Sequence, residues 1–166
     1  VKIIHIEAGI RSFDISMPEE INRILTDSIS DYAFVTSKYA SENLLNTGFK
    51  KENIFFVGNT MVDTLLNNIN RFKKPLLFNL NKLESKKYFV LTLHRPSNVD
   101  DKIKLNSFLK YFNKNLNNNK IIFPVHPRTE NNIINKKKYN NIIFCKSLGY
   151  LEFNYLVKNS FAVITD

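Results

Sequence analysis

Three short apolar segments of this sequence are each followed at once by side chains that carry charge or move protons. The residues are Glu7 and Arg11 after 2–6, His94 and Arg95 after 88–93, and His126 and Arg128 after 120–125. Carboxylates and imidazoles transfer protons, and guanidinium groups match the oxygens of a phosphate. Such a set is suited to removing a weakly acidic proton from carbon beside an anionic group, which requires positioned bases and nearby charge stabilisation.

The stretch "HIEAGIRSFDISMPEEINR" contains more charge than a simple connecting loop needs. It predicts a glycine turn and then a helix that starts at Pro18, with Glu19 and Glu20 in the first turn, where negative charge is favoured. A structural role remains open for each carboxylate. Glu7 could pair with Arg11, and the two later glutamates could serve only the helix dipole.

The basic residues also have structural alternatives. His94 and His126 each end an apolar run, so either could be a hydrogen-bonded core histidine. Arg95 and Arg128 are plausible anion ligands because a guanidinium group binds phosphate through two parallel hydrogen bonds. Surface salt bridges are the alternative for both arginines.

Seven apolar runs alternate with segments of helical pattern. The runs lie at 2–6, 32–36, 53–58, 88–93, 120–125, 141–145 and 161–165. They are apolar throughout and do not alternate, which favours strands of a parallel sheet covered on both faces. The predicted helices start at Pro18, run from Ser37 to near Gly48, and cover about 59–72, 101–116, 129–138 and 150–158.

Strand–helix alternation predicts an α/β protein with right-handed crossovers. Ligands bind beyond the carboxyl ends of parallel strands, where the charged residues fall, so one site shared by both halves is expected. The segment 70–87 breaks the alternation. We therefore expect the C-terminal part of a first Rossmann-like domain at 1–69, a junction at 70–87 and the front part of a second at 88–166. Both ends of the chain are expected to cut through a fold.

Composition narrows the function classes. The 166 residues carry a net charge of +9, but the lysines concentrate in Asn/Lys-rich stretches such as 113–120 and 131–140, typical of solvated loops and helix ends. Nucleic acid is therefore not the expected partner. A single cysteine, Cys145, excludes an internal disulfide and fits a reduced compartment, the cytoplasm. No apolar run is long enough to span a membrane, and no dinucleotide loop or zinc cluster implies a cofactor or metal.

Five ordered motifs resemble one family over essentially the whole chain. They are "HIEAGIRSFDISMPEEINRILTDSISDYAFVTS", "VGNTMVDTL", "LTLHRPSNVD", "FPVHPRT" and "SLGYLEFNYLVKNSFAVITD". Together they resemble the non-hydrolysing UDP-N-acetylglucosamine 2-epimerases. The resemblance implies a two-domain, glycosyltransferase-B-like fold with the site in the cleft. It also implies that UDP is eliminated to give a 2-acetamidoglucal and then added back, interconverting UDP-N-acetylglucosamine and UDP-N-acetylmannosamine.

The resemblance also implies roles for individual residues. Glu7, Glu19 and His94 match the family's catalytic carboxylates and histidine. Arg11 and the basic residues of the later loops are implied to bind the substrate, namely Arg95, His126 and Arg128. No cofactor is implied, and the complete protein is expected to be a homodimer.

The family's Gly-Thr-Arg-Pro-like loop and a further catalytic aspartate would precede Val1, and its Ser-Gly-Gly phosphate loop would follow Asp166. The chain is thus expected to be a central fragment of an epimerase. Three alternatives remain open. They are an inactive fragment or assembly module, an epimerase for another UDP-2-acetamido sugar, and a nucleotide-sugar transferase or hydrolase on the same fold.

Overall fold

Each strand in the described part of the chain runs parallel to its neighbours, in one of two separate sheets. A computed structural model describes residues 1–116 and 119–166. The chain divides into two units, Val1–Ile69 and Asn70–Asp166. In both units the sheet is built from β-branched and aromatic runs, as the sequence predicts.

The first unit alternates three strands with three helices. Its elements are β1 (Ile4–Ile6), α1 (Pro18–Ile29), β2 (Tyr32–Val35), α2 (Lys38–Asn46), a 3₁₀ turn (Lys51–Asn53), β3 (Ile54–Phe56) and α3 (Thr60–Asn68). A 3₁₀ turn (Ile69–Arg71) follows at the boundary between the two units. The sheet has the order β1-β2-β3. On one side of it, Ala33 and Val35 of β2 pack with Ala40 and Leu44 of α2 in a small buried core.

The helices of this unit begin where the sequence supplies start signals. Pro18 occupies the first turn of α1, where its missing N–H costs no hydrogen bond. The side chain of Ser37 accepts a hydrogen bond from the Ala40 N–H and so caps α2. Asn59 caps α3 in the same way through the Met61 N–H. Side-chain capping thus fixes the starts of α2 and α3.

The second unit is larger and has a four-stranded sheet of order β6-β5-β4-β7. Its elements are α4 (Leu76–Leu80), β4 (Tyr88–Thr92), α5 (Pro96–Val99), α6 (Lys102–Asn115), β5 (Lys120–Val125), α7 (Pro127–Glu130), a 3₁₀ turn (Lys136–Lys138), β6 (Ile142–Lys146), α8 (Tyr150–Asn159) and β7 (Ala162–Thr165). Apolar side chains cover both faces of this sheet, with one cluster around Leu105 and Leu109 of α6 and another around Leu156 of α8.

The segment 70–87 contributes to the core of the second unit. Phe78 of α4 is buried and packs edge-on against both Tyr88 and Tyr155. The Tyr88 hydroxyl donates a hydrogen bond to the Leu156 carbonyl, and burial raises the pKa of Tyr88 well above its ordinary value. This part of the chain is therefore anchored to the sheet that follows it.

The prediction of a helix over 129–138 is wrong. The helix α7 ends at Glu130, Asn135 has a left-handed backbone with φ of +48°, and only a 3₁₀ turn follows. Asparagine side chains compete for the backbone here, since the Asn106 carbonyl oxygen accepts the Ile134 N–H and the Asn132 amide donates to the Val99 carbonyl. Of the Asn/Lys-rich stretch predicted at 113–120, residues 117 and 118 lie outside the described residues.

Candidate active site

The turn that follows β1 holds Glu7 in an unusual backbone conformation. Glu7 has φ of +65°, in the left-handed region that costs a residue with a side chain about 1–2 kcal/mol. Gly9 follows with φ of +76°, and a Cβ atom there would lie 2.2 Å from the Ala40 carbonyl oxygen. The Ala8 N–H donates to the Phe34 carbonyl at 3.1 Å. The turn is therefore packed tightly against β2 and α2 while the Glu7 side chain stays half-buried.

Arg11 pairs with Asp27 of α1 and not with Glu7. The Arg11 Nη2 and Asp27 Oδ2 atoms lie 2.6 Å apart, and both side chains are about 95% buried. The Asp27 carboxylate also lies 2.6 Å from the Nδ1 atom of His5 and accepts the Gly9 N–H at 3.2 Å. The role of Arg11 in binding substrate stays a prediction.

The neighbouring glutamates of α1 lie in different surroundings. Glu19 is exposed, whereas Glu20 is 1% exposed. The Glu20 carboxylate accepts the backbone N–H of Ser12 at 2.9 Å and of Phe13 at 3.1 Å. These hydrogen bonds, led by the one from Ser12, hold the pKa of Glu20 below its ordinary value. Glu20 therefore fastens the loop before α1, and Glu19 is the one free to meet a ligand.

His94 follows β4 and is held by the carboxylate of Asp166, which follows the adjacent strand β7. The Asp166 carboxylate accepts the backbone N–H groups of His94 and Arg95 at 3.1 and 3.0 Å and the Asn98 amide at 3.0 Å. The Nδ1 atom of His94 lies 3.0 Å from Asp166 Oδ1. The aspartate side chain is 6% exposed and the histidine 71% exposed, so a buried anion orients an accessible imidazole.

Several hydrogen bonds keep Asp166 ionised. Burial opposes its charge, but donors from Asn98, Arg95 and His94 outweigh that effect, so the pKa of Asp166 lies below its ordinary value. With Nδ1 of His94 directed at this carboxylate, the Nε2 atom is left as the edge of the ring available for proton transfer.

The structure brings three of the predicted basic residues of the second unit to one depression. His94, His126 and Arg128 line a cavity of about 280 Å³ together with Asp100. The His126 Nδ1 atom accepts the Arg128 N–H at 3.2 Å, and Arg128 Nη2 lies 2.6 Å from Asp100 Oδ2 on the surface. Arg95 is exposed beside them. The cavity is thus lined by two imidazoles and by a guanidinium group that is paired with Asp100.

Asp27 and Asp166 are the site residues that sequence reasoning missed. Asp166 follows an apolar run, as His94 does, so the strand-end rule applied to the last run would have found it. For Asp27 the only signal is its spacing of seven residues from Glu20, which places both carboxylates on one face of α1. Within residues 1–116 and 119–166, no group of three or more His, Cys, Asp or Glu side chains could hold a metal ion.

Charged loops at the carboxyl ends of parallel strands are the ligand-binding arrangement of open α/β proteins. The comparisons with known proteins identify the family. The model of the UDP-N-acetylglucosamine 2-epimerase family matches residues 1–166, and the chain belongs to this family. The predicted membership is therefore confirmed.

Individual relatives agree with this assignment. The UDP-N-acetylglucosamine 2-epimerase of Methanococcus maripaludis is 43% identical, over 100% of this chain and 48% of its own length. The UDP-2,3-diacetamido-2,3-dideoxy-D-glucuronate 2-epimerase of Pseudomonas aeruginosa is 40% identical, over 100% and 47%. The chain thus spans about half the length of the curated relatives it matches.

A solved structure confirms the predicted fold class. The Methanocaldococcus jannaschii UDP-GlcNAc 2-epimerase, in complex with UDP-GlcNAc and UDP, superposes with a TM-score of 0.82 at 40% identity, over 99% of this chain and 48% of that chain. Its glycosyltransferase-B-like α/β fold, with parallel sheets, is the fold expected from the sequence.

Proposed function

We propose that the full-length protein interconverts UDP-N-acetylglucosamine and UDP-N-acetylmannosamine. The observation that carries this proposal is the match of the whole chain to the family. The location of Glu7 after β1, of Glu19 in the first turn of α1 and of His94 after β4 supports them as the reacting groups. The relative that binds UDP-GlcNAc and UDP in its solved structure supports a UDP-sugar as the substrate.

The proposed reaction proceeds by elimination and re-addition. A base removes the proton from C2 of the sugar, the C1–O bond to UDP breaks with its electron pair leaving on UDP, and a C1–C2 double bond forms. Proton return to the opposite face of C2 and attack of a UDP oxygen on C1 then give the epimer. Glu7 and Glu19 are the proposed groups for proton transfer at C2, and His94 assists the departure and return of UDP.

The basic residues of the second unit are proposed to bind the diphosphate. Arg95 is exposed, and His126 and Arg128 line the same cavity as His94, so a negatively charged group there would meet at least two cationic or hydrogen-bonding side chains. Arg11 is proposed as a further substrate ligand, although its guanidinium group is engaged by Asp27 in this structure.

The organisation of the full-length protein is also a proposal. Residues 1–69 are the C-terminal part of a first Rossmann-like domain, 70–87 a junction and 88–166 the front of the nucleotide-binding domain. The division of the chain after Ile69 supports the first boundary.

We expect a homodimer in the cytoplasm that requires no cofactor and binds neither nucleic acid nor membrane. No helix in the described ranges is long and apolar enough to cross a membrane, and the half-buried Cys145 is a free thiol.

A second substrate is favoured by one specific observation. The Pseudomonas aeruginosa relative, at 40% identity, is named for a UDP-2,3-diacetamido uronate. The alternative is therefore an epimerase for another UDP-2-acetamido sugar, with the same chemistry at C2. An inactive fragment or assembly module is the remaining alternative for the 166-residue chain alone, since it spans about half of its relatives.

Product analysis separates these proposals. The full-length protein and the 166-residue chain are each incubated with UDP-GlcNAc and, separately, with the diacetamido uronate nucleotide, and the sugars are resolved by proton NMR. Formation of UDP-ManNAc by the full-length protein is the expected result. Turnover of only the second substrate would support the alternative epimerase, free sugar or transfer products would indicate a hydrolase or transferase, and unchanged substrates would contradict epimerisation.

A further inference from the structure

The left-handed conformation of Glu7 needs a structural cause. A residue with a side chain persists in this conformation only when its surroundings determine it, and such residues concentrate at functional sites. The turn is fixed at three backbone groups. The Ala8 N–H donates to β2, the Gly9 N–H donates to Asp27, and the Gly9 carbonyl accepts the Asn43 amide at 2.9 Å.

Asp27 holds the chain on both sides of Glu7. Before the turn, its Oδ1 atom lies 2.6 Å from the His5 ring. After the turn, its Oδ2 atom accepts the Gly9 N–H at 3.2 Å and lies 2.6 Å from Arg11 Nη2. One carboxylate therefore contacts residues two before, two after and four after Glu7.

These contacts are enclosed by protein. The Asp27 and Arg11 side chains are 5% and 6% exposed, so the ion pair is shielded from water. A buried carboxylate that loses a donor leaves a costly unpaired charge, which makes this arrangement stiff. Asp27 also belongs to α1, the helix whose first turn carries Glu19. The same helix thus carries one proposed catalytic carboxylate and fastens the turn of the other.

We propose that Asp27 is a positioning residue that acts through Glu7, by holding the Glu7 turn in its left-handed conformation. The proposal rests on the proposed function, because Asp27 would orient the Glu7 carboxylate for proton transfer at C2. A purely structural Asp27 would stabilise the contact between β1 and α1 and would have no specific link to Glu7.

The test compares two aspartates in the full-length protein. Asp27→Asn removes the charge beside the turn. Asp31→Asn is the matched control, because Asp31 also accepts a backbone N–H, from Ile3 at 2.8 Å, and pairs with Lys2, but at the opposite end of β1. Both variants are combined with Glu7→Gln, and kcat, KM and thermal stability are measured for every protein.

Positioning predicts a specific pattern of rates. Asp27→Asn should lower kcat by about 10²-fold with a smaller change in KM, the loss expected when a reacting group is displaced by about 1 Å. In the Glu7→Gln background, Asp27→Asn should lower kcat no further, because the side chain that Asp27 positions is already disabled. The Asp31→Asn control should keep the parental kcat. Equal losses of kcat from Asp27→Asn with and without Glu7→Gln would overturn the proposal.

NMR tests the hold on the turn independently of the contribution of Glu7 to the rate. A left-handed residue brings its own amide and α protons close together, which gives a strong NMR cross-peak within that residue. This signal at Glu7 should weaken in Asp27→Asn and persist in Asp31→Asn. Its persistence in Asp27→Asn would overturn the positioning role. A parental rate in Glu7→Gln together with the expected loss of this signal would instead reject the catalytic role of Glu7 and retain the hold on the turn.

Discussion

The loops that follow β1 and β4 are both held by a buried aspartate, but the two aspartates make different contacts. Each is held by a buried carboxylate that accepts backbone hydrogen bonds. Asp27 accepts the Gly9 N–H in the first unit, and Asp166 accepts the N–H groups of His94 and Arg95 in the second. Asp27 comes from a helix and contacts His5, Gly9 and Arg11 on either side of a half-buried Glu7. Asp166 follows the adjacent strand and contacts the exposed ring of His94 itself. The first carboxylate therefore fixes the turn around a proposed reacting residue, whereas the second contacts the proposed reacting side chain.

The largest effects are expected at the side chains that the two loops and α1 present. Glu7→Gln, Glu19→Gln and His94→Asn should each lower kcat of the full-length protein by roughly 10²-fold or more with smaller changes in KM, because each removes a proposed proton-transfer group. Steady-state kinetics with UDP-GlcNAc measures this. The control is Glu42→Gln, an exposed glutamate of α2. Parental rates in all three variants would show that these residues are structural.

Asp166→Asn tests the second loop. The amide still accepts hydrogen bonds but no longer carries the charge that faces His94 Nδ1. We expect kcat to fall by about tenfold with a smaller change in KM, since the charge that orients the proposed catalytic imidazole is lost. Asp101→Asn is the matched control, because Asp101 also accepts two backbone N–H groups, those of Ile103 and Lys104, but as a helix cap. A parental kcat in Asp166→Asn would contradict a direct hold on the ring.

UDP binding should depend on the second unit. Arg95→Ala and Arg128→Ala should each weaken UDP binding by about 1–3 kcal/mol, which is the usual loss for a hydrogen bond to a charged group. Calorimetry with the full-length protein gives the affinities, and Arg71→Ala, in the 3₁₀ turn after α3, serves as the reference. Unchanged affinity in both variants would remove them as phosphate contacts.

Glu7 has a positive φ and His94 does not, so glycine substitutions at the two positions should change the free energy of unfolding in opposite directions. Glu7→Gly should raise the free energy of unfolding by about 1 kcal/mol, because glycine adopts φ of +65° without the penalty that Glu7 carries. His94 has no positive φ, so His94→Gly should lower stability through the greater freedom of the unfolded chain. Urea denaturation distinguishes them, and a destabilising Glu7→Gly would show that the turn is not strained.

A smaller effect is expected at acid pH. The pKa values of Glu20 and Asp166 are lowered in the folded protein, so both carboxylates contribute stability above the ordinary carboxyl pKa of about 4. That contribution disappears as the pH falls through their lowered pKa values. The melting temperature should therefore drop steeply below about pH 4, and less so in Glu20→Gln. Identical acid profiles in the two proteins would argue against this role of Glu20.

The strands and the residues at their ends could be predicted because an apolar run and its boundary are local features of the sequence. The tie between Asp27 and Gly9 could not, because it joins residues that are distant in sequence and whose partners depend on how α1 packs. Burial also separates Glu19 from Glu20, which the sequence presents as equivalent neighbours. The helix expected at 129–138 failed because asparagine side chains compete for backbone groups that a helix would use.

The central claim is that a carboxylate held in the turn after β1 transfers a proton at C2 of a UDP-sugar. The most direct measurement is the incubation of the full-length protein and its Glu7→Gln variant with UDP-GlcNAc in deuterated water, followed by NMR at C2. The parent should yield UDP-ManNAc carrying deuterium at C2, and the variant should incorporate it at least 10²-fold more slowly. Epimerised product without deuterium at C2, or equal incorporation by both proteins, would contradict the account.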